Sequence, residues 1–170
     1  MSKALVVIDI QNDYFANGRF PLWNADATAA QAVRAIELAN AKGIPVVLVQ
    51  HLAHAGGKAP LLNAGTDGAE LHPSIRAAAP DAPIVTKEHA DAFEKTTLEE
   101  TLAGLGATEL LVCGMMTHNC VTHTAISRSA EKYDVAVVAD ACTTVTEILH
   151  QIALHAVSTR MRLTSLAEAL

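Results

Sequence analysis

Cysteine is scarce in this 170-residue chain: three residues, an odd number, with no C-x-x-C pair. That argues against a disulfide framework or a zinc ribbon and suits free thiols in the reducing cytoplasm. Basic clusters are missing too. No Lys/Arg run exceeds a pair and the net charge is −6, so nucleic acid is not an expected partner. No apolar run approaches the roughly 18 residues of a membrane span. Asp9 interrupts the first apolar stretch and no small-residue cleavage site follows, so no secretion signal is read. Linkers, repeats and composition breaks are absent as well, which leaves residues 1–170 as one domain able to bury a substantial core. Aromatic residues make up only 4% of the chain, so each one near a candidate site stands out.

What is present is a strand–helix alternation. The apolar runs 4–10, 44–50, 82–87, 107–114 and 134–140 read as buried strands, with a sixth near 160–166. Between them, 26–43 reads as a helix with Asp26 as N-cap and Gly43 as its stop. A capping box at Thr96-x-x-Glu99 opens a second helix, one helix occupies about 119–132, and a box at Thr144-x-x-Glu147 opens another that runs to Ser158. Residues 51–80, rich in Gly and Pro, read as a long loop of the functional or covering kind. All-apolar strands alternating with helices predict a parallel α/β sheet covered on both faces.

In such sheets the active crevice lies beyond the carboxyl ends of the strands. Asp9, Gln11, Gln50, His51, Lys87, Gly114 to Cys120 and Asp140 fall there. Taken singly, Asp9 is as readily a turn cap and Lys87 a solvated cation; with a thiol at the same edge they form a candidate site. The segment "LLVCGMMTHNCVTHTA" carries two of the three thiols. Cys113 lies within a strand and reads as packing. Cys120 follows "GMMTHN" in the first turn of a helix, where free N–H groups and a nearby lysine are expected to favour the thiolate. Cys142 reads as structural, and His123, His150 and His155 as structural or interface residues.

Three motifs in order, "VVIDIQNDYF", "TKEHADAFEKTTLEETL" and "LLVCGMMTHNCVTHTAISRSAEKYDVAVVADA", resemble the isochorismatase-like cysteine hydrolases, over nearly the whole chain. That family includes nicotinamidase, N-carbamoylsarcosine amidohydrolase and ureidoacrylate amidohydrolase. The resemblance implies a three-layer α/β/α sandwich with a six-stranded parallel sheet, assembled as homodimers or homotetramers. It implies a catalytic triad of Asp9, Lys87 and Cys120 and a cis peptide between Met115 and Met116. It also implies an oxyanion hole from the backbone N–H groups of Met116 and Cys120. Nicotinamidases follow strand two with an Asp-x-His metal motif and a further His. Here "VQHLAHAGG" keeps His51 and His54 but has no carboxylate, so neither a metal nor any other cofactor is expected and nicotinamidase is disfavoured. The segment "LLNAGTDGAELHPSI" resembles the lid of the metal-free members.

The expected partner is therefore a small molecule, neither nucleic acid nor membrane. The expected reaction is hydrolysis of a small amide, ureido or carbamoyl compound through a thioester. Isochorismatase-type vinyl-ether cleavage and a non-catalytic thiol-sensing module are the alternatives. Candidate substrate contacts are Gln11, Phe15, Trp23, Phe93, Thr117 and His118; orienting its loop is the alternative role for Gln11, and packing the alternative for the aromatics.

Overall fold

The computed structural model describes residues 2–53 and 58–170. Six strands form one all-parallel sheet: β1 (Lys3–Ile8), β2 (Val46–His51), β3 (Ile84–Lys87), β4 (Glu109–Met115), β5 (Asp134–Thr143) and β6 (Arg162–Thr164). Their spatial order is β3-β2-β1-β4-β5-β6. With helices on both sides of it, the sheet is a three-layer sandwich. The central strands are apolar because both of their faces are covered. Leu5, Ile8, Leu48, Leu110 and Leu111 are all fully buried, and burying each such side chain contributes about 1.5–3 kcal/mol. Helix α1 (Ala25–Ala41) buries Ala29, Ala32, Ala35 and Ala39. These small side chains leave room for the helix to lie close against its neighbours.

The strand order reverses between β1 and β4, so the loops leaving those two strands diverge and open a crevice. Gly114 makes the close approach there possible. It holds φ +121°, and a Cβ at this position would sit 2.0 Å from the Ile8 carbonyl oxygen of the paired strand. Gly114→Ala combines backbone strain with overpacking and is expected to cost about 2–5 kcal/mol. Urea unfolding measures this, and an unchanged midpoint would contradict it.

Several element boundaries differ from the sequence expectation. Helix α1 starts at Ala25 after Asn24, so Asp26 lies in its first turn and is not the N-cap. Residues 51–80 are not all loop, because α2 (Pro73–Ala78) forms there, with His72 Nδ1 accepting from the Ser74 N–H. Helix α3 begins at Leu98, and the Thr96 hydroxyl donates to the Ala92 carbonyl, so the Thr96–Glu99 box does not form. β5 runs on to Thr143, which moves the start of α5 (Glu147–Ser158) two residues along, and Thr146 caps it. The span 119–132 is three pieces: a wide π-type turn at Thr117–Val121, a short helix α4 (Thr122–Ala125), and a 3-10 turn at Arg128–Lys132 that Ser127 caps. A final helix, α6 (Leu166–Ala169), follows β6. Among the described residues no helix is long and apolar enough to cross a membrane.

Candidate active site

Four neighbouring strands deliver their carboxyl ends to one line: Lys87 from β3, His51 from β2, Asp9 just past β1, and the 116–121 turn past β4. Parallel pairing puts His51 level with Lys87 and Ile8 level with Gly114. The buried lysine Nζ lies 2.8 Å from Asp9 Oδ2, 3.2 Å from Cys120 Sγ, 3.0 Å from His51 Nδ1 and 3.0 Å from the His89 carbonyl oxygen. Asp9 and Lys87 side chains are fully inaccessible to solvent. Asp9, Lys87 and Cys120 are thus brought together in one buried cluster.

The Asp9 contact differs in kind from the other three. Its angle does not make a hydrogen bond, and both carboxylate oxygens are buried without a hydrogen-bond donor among the described residues. Asp9 is held first by its charge pairing with Lys87. An ammonium has three hydrogens, and His51 Nδ1, the His89 carbonyl and Cys120 Sγ are the three acceptors that take them. The carboxylate lone pairs stay open, within 4.8 Å of the thiol sulfur.

The electrostatics correct the expectation that the turn and the lysine would depress the Cys120 pKa. Burial first, then the Asp9 charge, push the thiol up to about 12, outweighing the lowering by Lys87. Only a five-residue π-type turn, not a long helix, precedes α4, so no extended dipole offsets that burial. For Lys87, burial pulls the pKa down, but Asp9 and Cys120 raise it above its ordinary value. Lys87 is therefore held as an ammonium and Cys120 as a protonated thiol.

Burial also raises Cys113 well above its ordinary value and Cys142 to about 12. All three thiols are buried and free. An unfolded thiol ionises near pH 8.5, whereas these stay protonated in the folded chain. For Cys120 and Cys142 that stabilising contribution is complete below about pH 8.5 and is lost as pH rises through about 12. Each thiol contributes up to about 1.4 kcal/mol per pH unit in that window. Urea midpoints are expected to fall steadily between pH 9 and 11, and a flat profile there would contradict this account.

The remaining predicted contacts have partners within the protein. Gln11 is fully buried. Its Nε2 donates to the His51 and Ala69 carbonyls at 2.8 and 2.6 Å, and its Oε1 accepts from the His51 N–H at 2.9 Å. Its amide therefore ties the end of β2 to Ala69 in the segment that follows. Phe15 stacks on His72 at 4.1 Å, Trp23 tilts against His150 at 5.7 Å, and Phe93 stacks on Tyr133 at 6.2 Å. Thr117 Oγ1 meets His150 Nδ1 at 2.9 Å, and His118 Nδ1 meets Thr144 Oγ1 at 2.6 Å. Thr144, just before α5, and His150, on it, thus brace the turn that carries Cys120. Asp140 is away from this cluster, accepting from the Leu166 N–H. Phe15 and His72 line a cavity of about 680 Å³, and Lys87 and His89 line a second of about 370 Å³; neither is lined by Asp9 or Cys120. Both volumes suit small molecules.

The Met115–Met116 peptide is cis. Asn119 N and Val121 N donate to the Met116 carbonyl at 3.0 and 3.3 Å. Among the described residues, neither Met116 N nor Cys120 N donates to a backbone carbonyl of another element.

Two buried side chains near the site, Asp13 and Tyr14, carry no signal in the sequence pattern. Asp13 ties Leu62 to the first loop by accepting from the Leu62 N–H at 2.7 Å and the Arg19 N–H at 3.2 Å. Tyr14 is close enough to Asp9 and Cys120 that their charges add to burial in raising its hydroxyl pKa. His51, expected at the crevice edge and weighed as a metal ligand, contacts Lys87 through Nδ1. Asp9, His51 and Cys120 do offer ligand atoms within 4.8 Å of one another. The Lys87 ammonium, however, lies against all three and fills with fixed positive charge the place an ion would take. The donor set does not fit a metal; His54 lies outside the described residues.

The isochorismatase domain model matches residues 3–168. An uncharacterized isochorismatase family protein of Bacillus subtilis is 40% identical over 146 residues, spanning 86% of this chain and 80% of that one. The nicotinamidase of Escherichia coli is 28% identical over 175 residues, 82% of each chain. Among solved structures, an isochorismatase family protein from Desulfovibrio vulgaris superposes with a TM-score of 0.89 at 27% identity, covering 98% of this chain and 95% of the other.

Proposed function

We propose, from the premise that this chain belongs to the isochorismatase family of hydrolases, that it cleaves a small amide, ureido or carbamoyl compound through a thioester on Cys120. One observation carries the reading: a buried carboxylate with unfilled lone pairs and a protonated thiol share one ammonium. A thiol with a pKa near 12 is a poor nucleophile at neutral pH unless a base removes its proton as it attacks. Asp9 is that base. Moving the proton from sulfur to Asp9 shifts negative charge from one neighbour of Lys87 to another, so the buried site stays neutral throughout. Ejecting the proton to solvent instead leaves the charge balance of a low-dielectric site altered, which is much more costly.

In acylation, the Cys120 sulfur bonds to the substrate carbonyl carbon as Asp9 accepts the thiol proton. The Met116 and Cys120 N–H groups hold the oxyanion, a contact typically worth about 2.7–4 kcal/mol per donor. Asp9 then passes its proton to the leaving nitrogen as the C–N bond breaks. Water attacks the thioester carbon with Asp9 taking its proton. The C–S bond breaks, and Asp9 returns the proton to sulfur. Neither a redox step nor a cofactor is needed.

The test is an ammonia-release screen over small amides, ureas and carbamoyl compounds, run beside Cys120→Ala. Release by the native chain and none by the variant supports the reading. Ammonia release that survives the substitution overturns it, and undiminished vinyl-ether cleavage in the variant would move the activity to the isochorismatase type.

A further inference from the structure

We propose that His51, as a neutral imidazole accepting from Lys87 through Nδ1, is a positioning residue that keeps the Asp9 carboxylate open to act as base. This rests on the proposed thiol chemistry and adds to it a residue outside the triad.

Geometry comes first. Lys87 Nζ has four acceptors within 3.2 Å and only three hydrogens. The hydrogen bonds go to His51 Nδ1, the His89 carbonyl and Cys120 Sγ, while Asp9 receives none. Two of these acceptors, the imidazole nitrogen and the carbonyl, are neutral and keep their charge through the reaction. They fix the rotation of the ammonium so that its third hydrogen points to sulfur. Without the His51 acceptor one hydrogen is released, and the nearest unfilled lone pair is Asp9 Oδ2, 2.8 Å away. A hydrogen bond donated to the carboxylate favours its ionised form and weakens it as a base.

The chain holds His51 from two directions. Its backbone N–H and carbonyl are both bonded by the side-chain amide of the fully buried Gln11, and strand pairing sets it beside Lys87. Because an ammonium has no lone pair, Nδ1 must be the unprotonated nitrogen, and the ring proton sits on Nε2. Among the described residues no group accepts from Nε2 by a hydrogen bond given in the structure.

The charged and titratable groups around the ring are Lys87 and Glu88 on and just past β3, His89 beyond them, Asp9 past β1 and Cys120 past β4. Burial and then Lys87 lower its pKa, against Asp9 and Glu88, which raise it. The imidazole therefore stays neutral at neutral pH. Protonating it in acid removes the Nδ1 acceptor and sets a second cation beside Lys87. The acid limb of the activity profile is thus assigned to His51.

The test has two readouts. In native protein uniformly labelled with 15N, with His51 identified by its loss in His51→Gln, the ring is expected to be the Nε2–H tautomer at pH 7 and to titrate below 6.5. A protonated Nδ1 at pH 7 would overturn the proposal without any activity measurement. In kinetics, His51→Leu removes the acceptor and is expected to lower kcat about 100-fold, the scale of a small misplacement at a reacting group. His51→Gln restores an acceptor that does not titrate, so it is expected to recover most of kcat while its acid limb shifts or disappears. An unchanged acid limb in His51→Gln, or full kcat in His51→Leu, overturns the proposal. Failure of the thiol reading shows up separately, as activity that persists in Cys120→Ala.

Discussion

Cys120→Ala is expected to lower hydrolysis by a factor on the order of 10⁴ to 10⁶, as loss of a covalent nucleophile does, while leaving the fold intact. The side chain is small and 3% exposed. Its removal opens a cavity of roughly one sulfur atom and takes one of three acceptors from Lys87, a stability cost on the order of 1 kcal/mol. Activity and stability thus separate by several orders of magnitude at this position. The same truncation at Cys113, buried in β4, is expected to do the reverse. It sits in the sheet and away from the Lys87 cluster, so Cys113→Ala should cost stability and spare turnover. Parallel thermal melts and ammonia-release assays on the two variants check this. Equal losses of activity would contradict the assignment of one thiol to chemistry and the other to packing.

Asp9→Asn is expected to move two properties of Cys120 in opposite directions. Turnover falls by about 10²–10⁴, because the group that takes and returns the proton is gone. Reaction of the thiol with iodoacetamide at neutral pH becomes faster. The Asp9 charge is the second cause, after burial, of the raised thiol pKa, and Lys87 opposes it. With the carboxylate removed, the ammonium has one anionic partner left to make, the thiolate. Each unit by which the pKa falls gives about tenfold more thiolate at pH 7, less a loss of intrinsic nucleophilicity. Asp9→Asn takes the carboxylate from beside the buried Lys87, a defect that costs about 3–5 kcal/mol, and thermal melts separate that loss from the change in thiol reactivity. If Asp9→Asn alkylates more slowly than the native chain, Asp9 does not hold the thiol protonated and the scheme fails.

The sheet was readable from sequence because buried parallel strands announce themselves as uninterrupted runs such as "LVVI" and "LLVC". Helix starts were less so. Thr96 and Thr144 each stand three residues before a glutamate, but Thr96 turns to the Ala92 carbonyl and Thr144 to His118. Those partners are set by tertiary contacts that a local pattern does not contain. Helix α2 was hidden by the Gly and Pro around it, although His72-Pro73-Ser74 places proline at the first helical position. The strand-end rule placed Asp9, Lys87 and Cys120 at one edge, and their convergence on a single ammonium followed only from the strand order. The Lys87–His51 contact needed the β2–β3 register, which no spacing encodes. The thiol pKa went against expectation because burial, a property of the whole fold, exceeds the local effect of a turn and one lysine.

Mass spectrometry of acid-quenched protein, mixed with a turned-over amide or carbamoyl substrate and mapped by peptide, tests the central claim most directly. The account predicts an acyl or carbamoyl adduct on Cys120, absent from Cys113, Cys142 and the Cys120→Ala variant. Product formation with full occupancy of unmodified Cys120 at every quench time, and full activity in Cys120→Ala, would contradict it.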